Sequence, residues 1–349
     1  MPAIWDLPDY DGHESVHVFE DRDSGLRAVI ALHSTHLGPA AGGTRFWHYA
    51  DSQAAITDAL RLSRGMTYKN AMAGLPLGGG KGVVLADANR TKTPEMLAAF
   101  GRAIESLGGR YVTAEDVGMS DADMVTISSE TRHVSGLPVI DGSAAGGDPG
   151  PFTARGVYLG IMAAAKHRLG VDSMAGVHVA VQGVGSVGGG VARLLAADGA
   201  KLTLADPDQE KLAAMALETG GTAVALNEIM AVKADIFSPN ALGAILTAST
   251  ISAFDVAVVA GGANNQMATA ADAQRLHDRG ILYAPDYVIN AGGIINVGLE
   301  YLGDVSVDEV NTRIDMIPDR LRTIWAKSEA DNISAAVVAD SMAQRLIGR

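Results

Sequence analysis

The segment Gly183-Val184-Gly185-Ser186-Val187-Gly188 constrains the fold of this 349-residue chain more than any other. It follows a β-branched run, Val177-His178-Val179-Ala180-Val181, and opens a helical pattern over 187–197. A strand that turns through glycines into a helix presents backbone N–H groups with no intrahelical partner, and these can hold a pyrophosphate. The next strand, 201–205, delivers Asp206, 18 residues after Gly188. A carboxylate there can accept from both hydroxyls of a ribose and would repel a 2′-phosphate, so the spacing predicts NAD rather than NADP. Gly183, Gly185, Ser186, Val187, Gly188 and Asp206 are therefore the expected cofactor residues.

The same rhythm continues with a helix over 208–218 and apolar runs at 234–237, 256–259 and 281–283. Strands alternating with helices predict a doubly wound, Rossmann-type α/β sheet. Ahead of it, strands are expected at 16–19 and 27–32 and a long helix over 51–73. A second helix is signalled by Thr93 as N-cap and Pro94 behind it, with Leu97, Phe100, Ile104 and Leu107 on one face and Gly108-Gly109 as the stop. A short strand follows at 110–113. The Gly- and Pro-rich stretch 142–151 is the expected linker. The reading is two α/β domains, 1–140 and 141–326, with helices over 327–349 returning to the first.

Composition removes several function classes. The chain carries 40 Asp+Glu against 27 Lys+Arg, a formal charge of −13, which argues against nucleic acid or an anionic membrane as partner. It has no cysteine, so disulfides, thiolate metal sites and a cysteine nucleophile are excluded, and a cytoplasmic location is expected. His33 and His36 are three apart with no third ligand near them in sequence, and no metal is expected. Asp6, Asp9 and Asp11 stand where a secretory leader would be basic and apolar. The longest uncharged stretches, 173–192 and 236–254, are interrupted by glycines or by Pro239 and Asn240, so no membrane span is expected.

Two lysines carry the chemistry. Lys69 ends Met66-Thr67-Tyr68-Lys69 near the close of the long helix, and Lys81 follows Leu77-Gly78-Gly79-Gly80. Three glycines before a lysine let backbone come close to a ligand. A phosphate loop is excluded because Gly82, not Ser or Thr, follows Lys81. Gly38-Pro39-Ala40-Ala41-Gly42-Gly43-Thr44-Arg45, the two lysine segments, Thr113-Ala114-Glu115-Asp116-Val117-Gly118 and Asn290-Ala291-Gly292-Gly293 occur in that order. Together they resemble the NAD-dependent amino acid dehydrogenases of the glutamate/leucine/phenylalanine/valine family over nearly the whole chain, with leucine dehydrogenases the nearest branch.

The resemblance implies a substrate-binding and oligomerising first domain and an NAD-binding second one, in a homo-oligomer. It implies that Lys69 binds the substrate α-carboxylate beside Gly42. Lys81 would polarise the carbonyl and activate water for iminium hydrolysis, and Asp116 would exchange protons with the substrate nitrogen. A lysine base needs its pKa lowered from about 10.4 to ~7–8, which burial and a second cation can do. Thr153, Asn240 and Asn290 are implied for the nicotinamide half. Of the Asn264-Asn265 pair, one serves the substrate and one the nicotinamide ribose; Asn264 is assigned to the substrate and Asn265 to the cofactor. The pocket positions Ala41, Ala114, Ile294 and Val297 are all apolar. Glutamate enzymes carry a lysine where Ala41 stands, so the expected reaction is reversible deamination of an apolar L-amino acid of the leucine, valine or isoleucine type to the 2-oxo acid and ammonia. Leucine dehydrogenases usually have leucine there, and the smaller alanine keeps an aromatic substrate as the alternative. The remaining reading, a catalytically silent NAD-binding protein, gives no reason to keep Lys69, Lys81 and Asp116 together.

Overall fold

The computed structural model describes residues 3–7, 9–87, 91–138, 144–303 and 305–349. The chain divides into two units, Met1–Asp148 with Ile294–Val310 and Ala343–Arg349, and Pro149–Gly293 with Asn311–Met342. The boundary expected at 140/141 and the start of the expected linker lie outside the described residues; the division itself falls after Asp148. Of the segment 327–349 expected to return to the first unit, only Ala343–Arg349 does so, and Ile294–Val310 joins it. Hydrogen bonds give the reason. Asn296 exchanges two with the backbone of Gly146 (2.9 and 2.8 Å), and Glu300 accepts from the N–H groups of Gly136 and Leu137. Trp325 instead is buried in the second unit, where its indole N–H donates to the Tyr283 carbonyl at 2.9 Å.

In the first unit the elements run β1 (Ser15–Asp21), β2 (Leu26–Ser34), β3 (Ala40–Ala41), β4 (Thr44–His48), α1 (Ser52–Ala73), β5 (Gly78–Ala86), α2 (Pro94–Glu105), β6 (Tyr111–Val112) and α3 (Asp121–Ser128). The sheet order is β1-β2-β5-β3-β6, with β4 also paired to β5. Both faces are covered. Ile30 and Leu32 of β2 pack with Phe100 and Ile104 of α2, while Val29 and Ala31 pack with Ala55, Ala59 and Leu60 of α1. That is why Ala28–Leu32 of β2 reads as an unbroken apolar run instead of an alternating one. The helix α1 starts where the Asp51 carboxylate accepts from the Ala54 N–H and stops at Gly74 in the left-handed region, φ 70°.

In the second unit α4 (Gly150–Leu169) precedes β7 (His178–Gln182), α5 (Ser186–Ala197), β8 (Lys201–Ala205), α6 (Gln209–Thr219), β9 (Thr222–Ala223), β10 (Ile236–Pro239), α7 (Ala248–Ala253), β11 (Val258–Val259), α8 (Ala270–Asp278) and β12 (Leu282–Tyr283). The sheet is parallel in the order β12-β11-β10-β7-β8-β9. The chain builds outward from β7 through β9, then returns to the other side of β7 with β10. This is the doubly wound order expected, and its ligand crevice lies at the carboxyl ends of the strands where the direction reverses. Among the described residues no helix is long and apolar enough to cross a membrane.

Candidate active site

Lys81 sits within β5, opposite Ala31 of β2, with its side chain 6% exposed. The glycines around it are required by packing. A Cβ on Gly79 would lie 2.0 Å from the backbone N of Thr67, so only glycine lets α1 rest on this strand. Gly79 pairs with Ala41 of β3. Register partners, and residues two apart on one strand, share a face. Ala41, Gly79 and Lys81 therefore all project toward α1, and Ala41 is buried there. A Cβ on the next residue, Gly42, would meet the Gly80 carbonyl oxygen at 1.9 Å and Met66 Cγ at 3.0 Å. Lys69 stands three residues beyond Met66 on α1 and is half-buried.

Folding brings Lys81 and Asp116 together: Nζ donates to Oδ2 at 2.5 Å. Burial lowers the lysine pKa, Asp116 pulls it back up and Arg45 pushes it down again; the balance is a lowered value. Burial pushes the Asp116 carboxyl up, but Lys81 and Arg45 outweigh it and hold the group at about 2. The pair thus couples a carboxylate that stays ionised to an amine that releases its proton more easily than usual.

Arg45, Asp58 and Tyr49 have no role in the sequence reading, yet they complete this cluster. From β4, Arg45 donates through Nε to Asp116 Oδ2 (3.2 Å) and through Nη1 to Asp58 Oδ2 (2.9 Å). The Tyr49 hydroxyl donates to the same Asp58 oxygen at 2.6 Å, and Arg61 donates to the other at 2.8 Å. The one signal was that Arg45 closes the Gly42-Gly43-Thr44-Arg45 motif. Asp58 reads in sequence as one more solvated charge on a long helix.

Of the apolar positions expected to line the substrate pocket, Ala41, Ala114 and Val297 are buried and Ile294 is half-buried. Ile294 and Val297 belong to the helix Gly292–Leu302. One residue past Val297, a Cβ on Gly298 would lie 3.1 and 3.2 Å from side-chain carbons of Leu75 and Leu77, so the helix packs on the segment that leads into β5.

The glycine turn between β7 and α5 divides its tasks. Gly183 takes φ +87°, and a Cβ on Gly188 would sit 2.0 Å from the Gly183 carbonyl oxygen. A Cβ on Gly185 would meet nothing within 4 Å, so backbone there is open to an approaching group. The helix begins at Ser186, and its N-cap Gly185 supplies no capping side chain. Gly185 and Ser186 are exposed, while Val187 is half-buried. Asp206 accepts from the N–H groups of Val184 (2.8 Å) and Asp208 (2.9 Å), tying the end of β8 to the turn.

Around the carboxyl ends of β10 and β11, Asn240 accepts from the Gly262 N–H at 2.8 Å and donates to Ser238. Asn290 donates to the Gly262 carbonyl (3.1 Å) and to Asn264 Oδ1 (2.8 Å). The residue assigned to the substrate, Asn264, is thereby joined to one assigned to the cofactor. The Asn290 Oδ1 atom is buried without a partner, an orphaned acceptor that a carboxamide N–H would satisfy. Asn265 is exposed, with φ 52°, and its carbonyl accepts from Ala244. Thr153 donates from Oγ1 to the Pro149 carbonyl at 2.9 Å on α4. These residues fit a pyridine dinucleotide. Among the described residues no group of three or more His, Asp or Glu side chains could hold a metal ion. His33 is buried and bonded through Nδ1 to Thr67 Oγ1 at 2.8 Å.

A doubly wound dinucleotide fold in one chain with a buried lysine paired to an aspartate defines a pyridine-nucleotide-dependent dehydrogenase. The chain belongs to the Glu/Leu/Phe/Val dehydrogenase family: residues 13–133 match its dimerisation domain, and 204–345 match the Glutamate/Leucine/Phenylalanine/Valine dehydrogenase domain. It is 48% identical to leucine dehydrogenase of Geobacillus stearothermophilus over 97% of this chain and 91% of that one. Valine dehydrogenase of Streptomyces virginiae is 45% identical over 97% of this chain and 94% of its own. The crystal structure of L-tryptophan dehydrogenase from Nostoc punctiforme superposes with a TM-score of 0.84 at 40% identity, covering 96% of each chain.

Proposed function

We propose that the protein catalyses the reversible, NAD-dependent oxidative deamination of an apolar L-amino acid of the leucine, valine or isoleucine type. The carrying observation is the buried Lys81–Asp116 pair in a chain so similar to leucine and valine dehydrogenases. Lys69 holds the substrate carboxylate. NAD, on the glycine turn, Asp206, Thr153, Asn240, Asn265 and Asn290, supplies the oxidant for the Cα–H bond. Water then adds to the iminium carbon; Lys81 takes its proton, and Asp116 passes a proton to the departing nitrogen. Asn264 steadies the amino group. The products are the 2-oxo acid and ammonia. NADH formation at alkaline pH with a panel of L-amino acids tests the reading: leucine, valine and isoleucine turn over, and no turnover with any member rejects it.

A second reading, preference for aromatic substrates, is favoured by Ala41 on the Lys81 face and by the likeness to a tryptophan dehydrogenase. Each methylene in an apolar pocket is worth about 1–3 kcal/mol. Ala41→Leu should therefore cut kcat/KM for phenylalanine or methionine by roughly tenfold or more while sparing valine and leucine. An unchanged phenylalanine-to-valine ratio would show that Ala41 does not shape the pocket.

The NAD preference is attributed to Asp206. Asp206→Ala should raise KM for NAD and narrow its advantage over NADP. Because the carboxylate also holds the Val184 N–H, the variant should bind NADP less well than the wild type binds NAD. Steady-state KM values for both cofactors decide it, and intact selectivity would point to another residue. We also take the enzyme to be a cytoplasmic homo-oligomer assembled through its first unit. The matching dimerisation domain and the cysteine-free sequence support this, and light scattering should find no monomer at micromolar concentration.

A further inference from the structure

Asp116 receives both Lys81 Nζ and Arg45 Nε on one oxygen, Oδ2, and neither of them uses Oδ1. The guanidinium that makes the second of these bonds is itself fixed, because its Nη1 is engaged by Asp58. We propose that Arg45, clamped by Asp58, is a positioning residue for the deamination: it holds the Asp116 carboxylate with Oδ1 presented to the substrate nitrogen, and it is the second cation beside Lys81. The proposal rests on the reading of Lys81 as base and Asp116 as proton carrier.

The arrangement needs an arginine. A guanidinium presents N–H groups in a planar fork, so bonding one carboxylate through Nε and another through Nη1 sets both their separation and their tilt. A lysine offers a point charge with no such plane. The far end is anchored too. Asp58 takes the Tyr49 hydroxyl on Oδ2 and Arg61 on Oδ1. Burial and the hydrogen bond to Asp58 both raise the Tyr49 pKa, so the phenol keeps its proton and remains a donor. The carboxylates at both ends of the fork are largely shielded, with side chains 24% and 11% exposed for Asp116 and Asp58.

Charge balance gives the arrangement a measurable consequence. The charged groups acting on Lys81 are Asp116 from the turn after β6, Arg45 from β4 and Asp58 from α1. Arg61 and Lys69 are further cations on α1, and Glu115 adjoins Asp116. Lys81 and Arg45 are matched by Asp116 and Asp58. Without Arg45 the cation that opposes protonation of Lys81 is gone while Asp116 and Asp58 remain, so the amine holds its proton more tightly. A side chain that served folding alone would show no such dependence on charge.

The test is the pH profile of kcat for oxidative deamination in the full-length enzyme, using the best substrate of the amino acid panel. Arg45→Gln should move the acidic limb up by about one pH unit, read as roughly tenfold lower kcat on that limb, with KM for the amino acid within about threefold. Arg45→Lys should return the limb to its wild-type pH yet leave the plateau kcat about tenfold low, since the charge is restored and the fork is not. Asp58→Asn removes an anion and should move the limb down, which keeps the test available if Arg45→Gln does not fold. An unmoved limb in the variants that fold, or equal shifts in Arg45→Gln and Arg45→Lys, overturns the proposal. Lys81→Ala separates the two levels: wild-type kcat there rejects the base assignment itself, whereas an inactive Lys81→Ala beside unmoved limbs rejects Arg45 alone.

Discussion

Lys81→Ala is expected to lower kcat by roughly 10³-fold or more while NADH still binds. The size follows from what is removed. The amine is buried and bonded to Asp116 at 2.5 Å, and the other cation on that carboxylate is Arg45. Arg45 stays protonated throughout the working range and cannot serve as a base. Asp116 remains paired to it, so the substitution does not leave a buried carboxylate alone. The glycine turn and Asp206 belong to the second unit and are untouched, so a fluorescence titration with NADH should give a near-normal Kd. A kcat close to that of the wild type would take Lys81 out of the mechanism.

Gly79→Ala should be among the most damaging changes of a single methyl group. Its Cβ would lie 2.0 Å from Thr67 N and 2.1 Å from Thr67 Oγ1, and backbone cannot yield as a flexible side chain does. The helix α1 must lift from β5. Overpacking of this kind costs on the order of 3 kcal/mol. The displacement would also strain the bond between Thr67 and His33 and carry Lys69, two residues further on, away from its place. A lowered Tm together with a raised KM for the amino acid is expected. A Tm within a degree of the wild type would mean that α1 does not bear on Gly79 in solution.

Much of the second unit was legible because its signals are local. The strand, the glycine turn and the helix after it lie within one continuous segment, and strand–helix alternation carries the parallel topology. The lysines and Asp116 were legible as residues in short motifs. Their cluster was not. Arg45 lies on β4, Tyr49 just after it, Asp58 on α1 and Asp116 in the turn after β6, and nothing in a linear pattern distinguishes Asp58 from the other polar residues of α1. The chain ends misled for a related reason. Helix periodicity marks an apolar face without naming the surface that it meets. Trp325 therefore stays in the second unit, while Asn296 and Glu300, through backbone hydrogen bonds far away in sequence, take their helix to the first.

The glycine-lined strand β5 also restricts how enzymes of this design can diversify. Around Lys81 the strand reads Gly78-Gly79-Gly80-Lys81-Gly82, and at each of these glycines a Cβ would fall 2.8 Å or less from a neighbouring atom. On the proposed mechanism, the strand that carries the reactive amine thus has no side chain to vary beside it. On the proposed reading, changes in substrate range come from adjoining elements, at the expected pocket positions Ala41 on β3, Ala114 after β6, and Ile294 and Val297 on a helix far along the chain. On that reading chemistry and selectivity are written on separate elements. Selection can exchange one substrate for another by altering the walls of the pocket while the floor that performs the reaction stays the same.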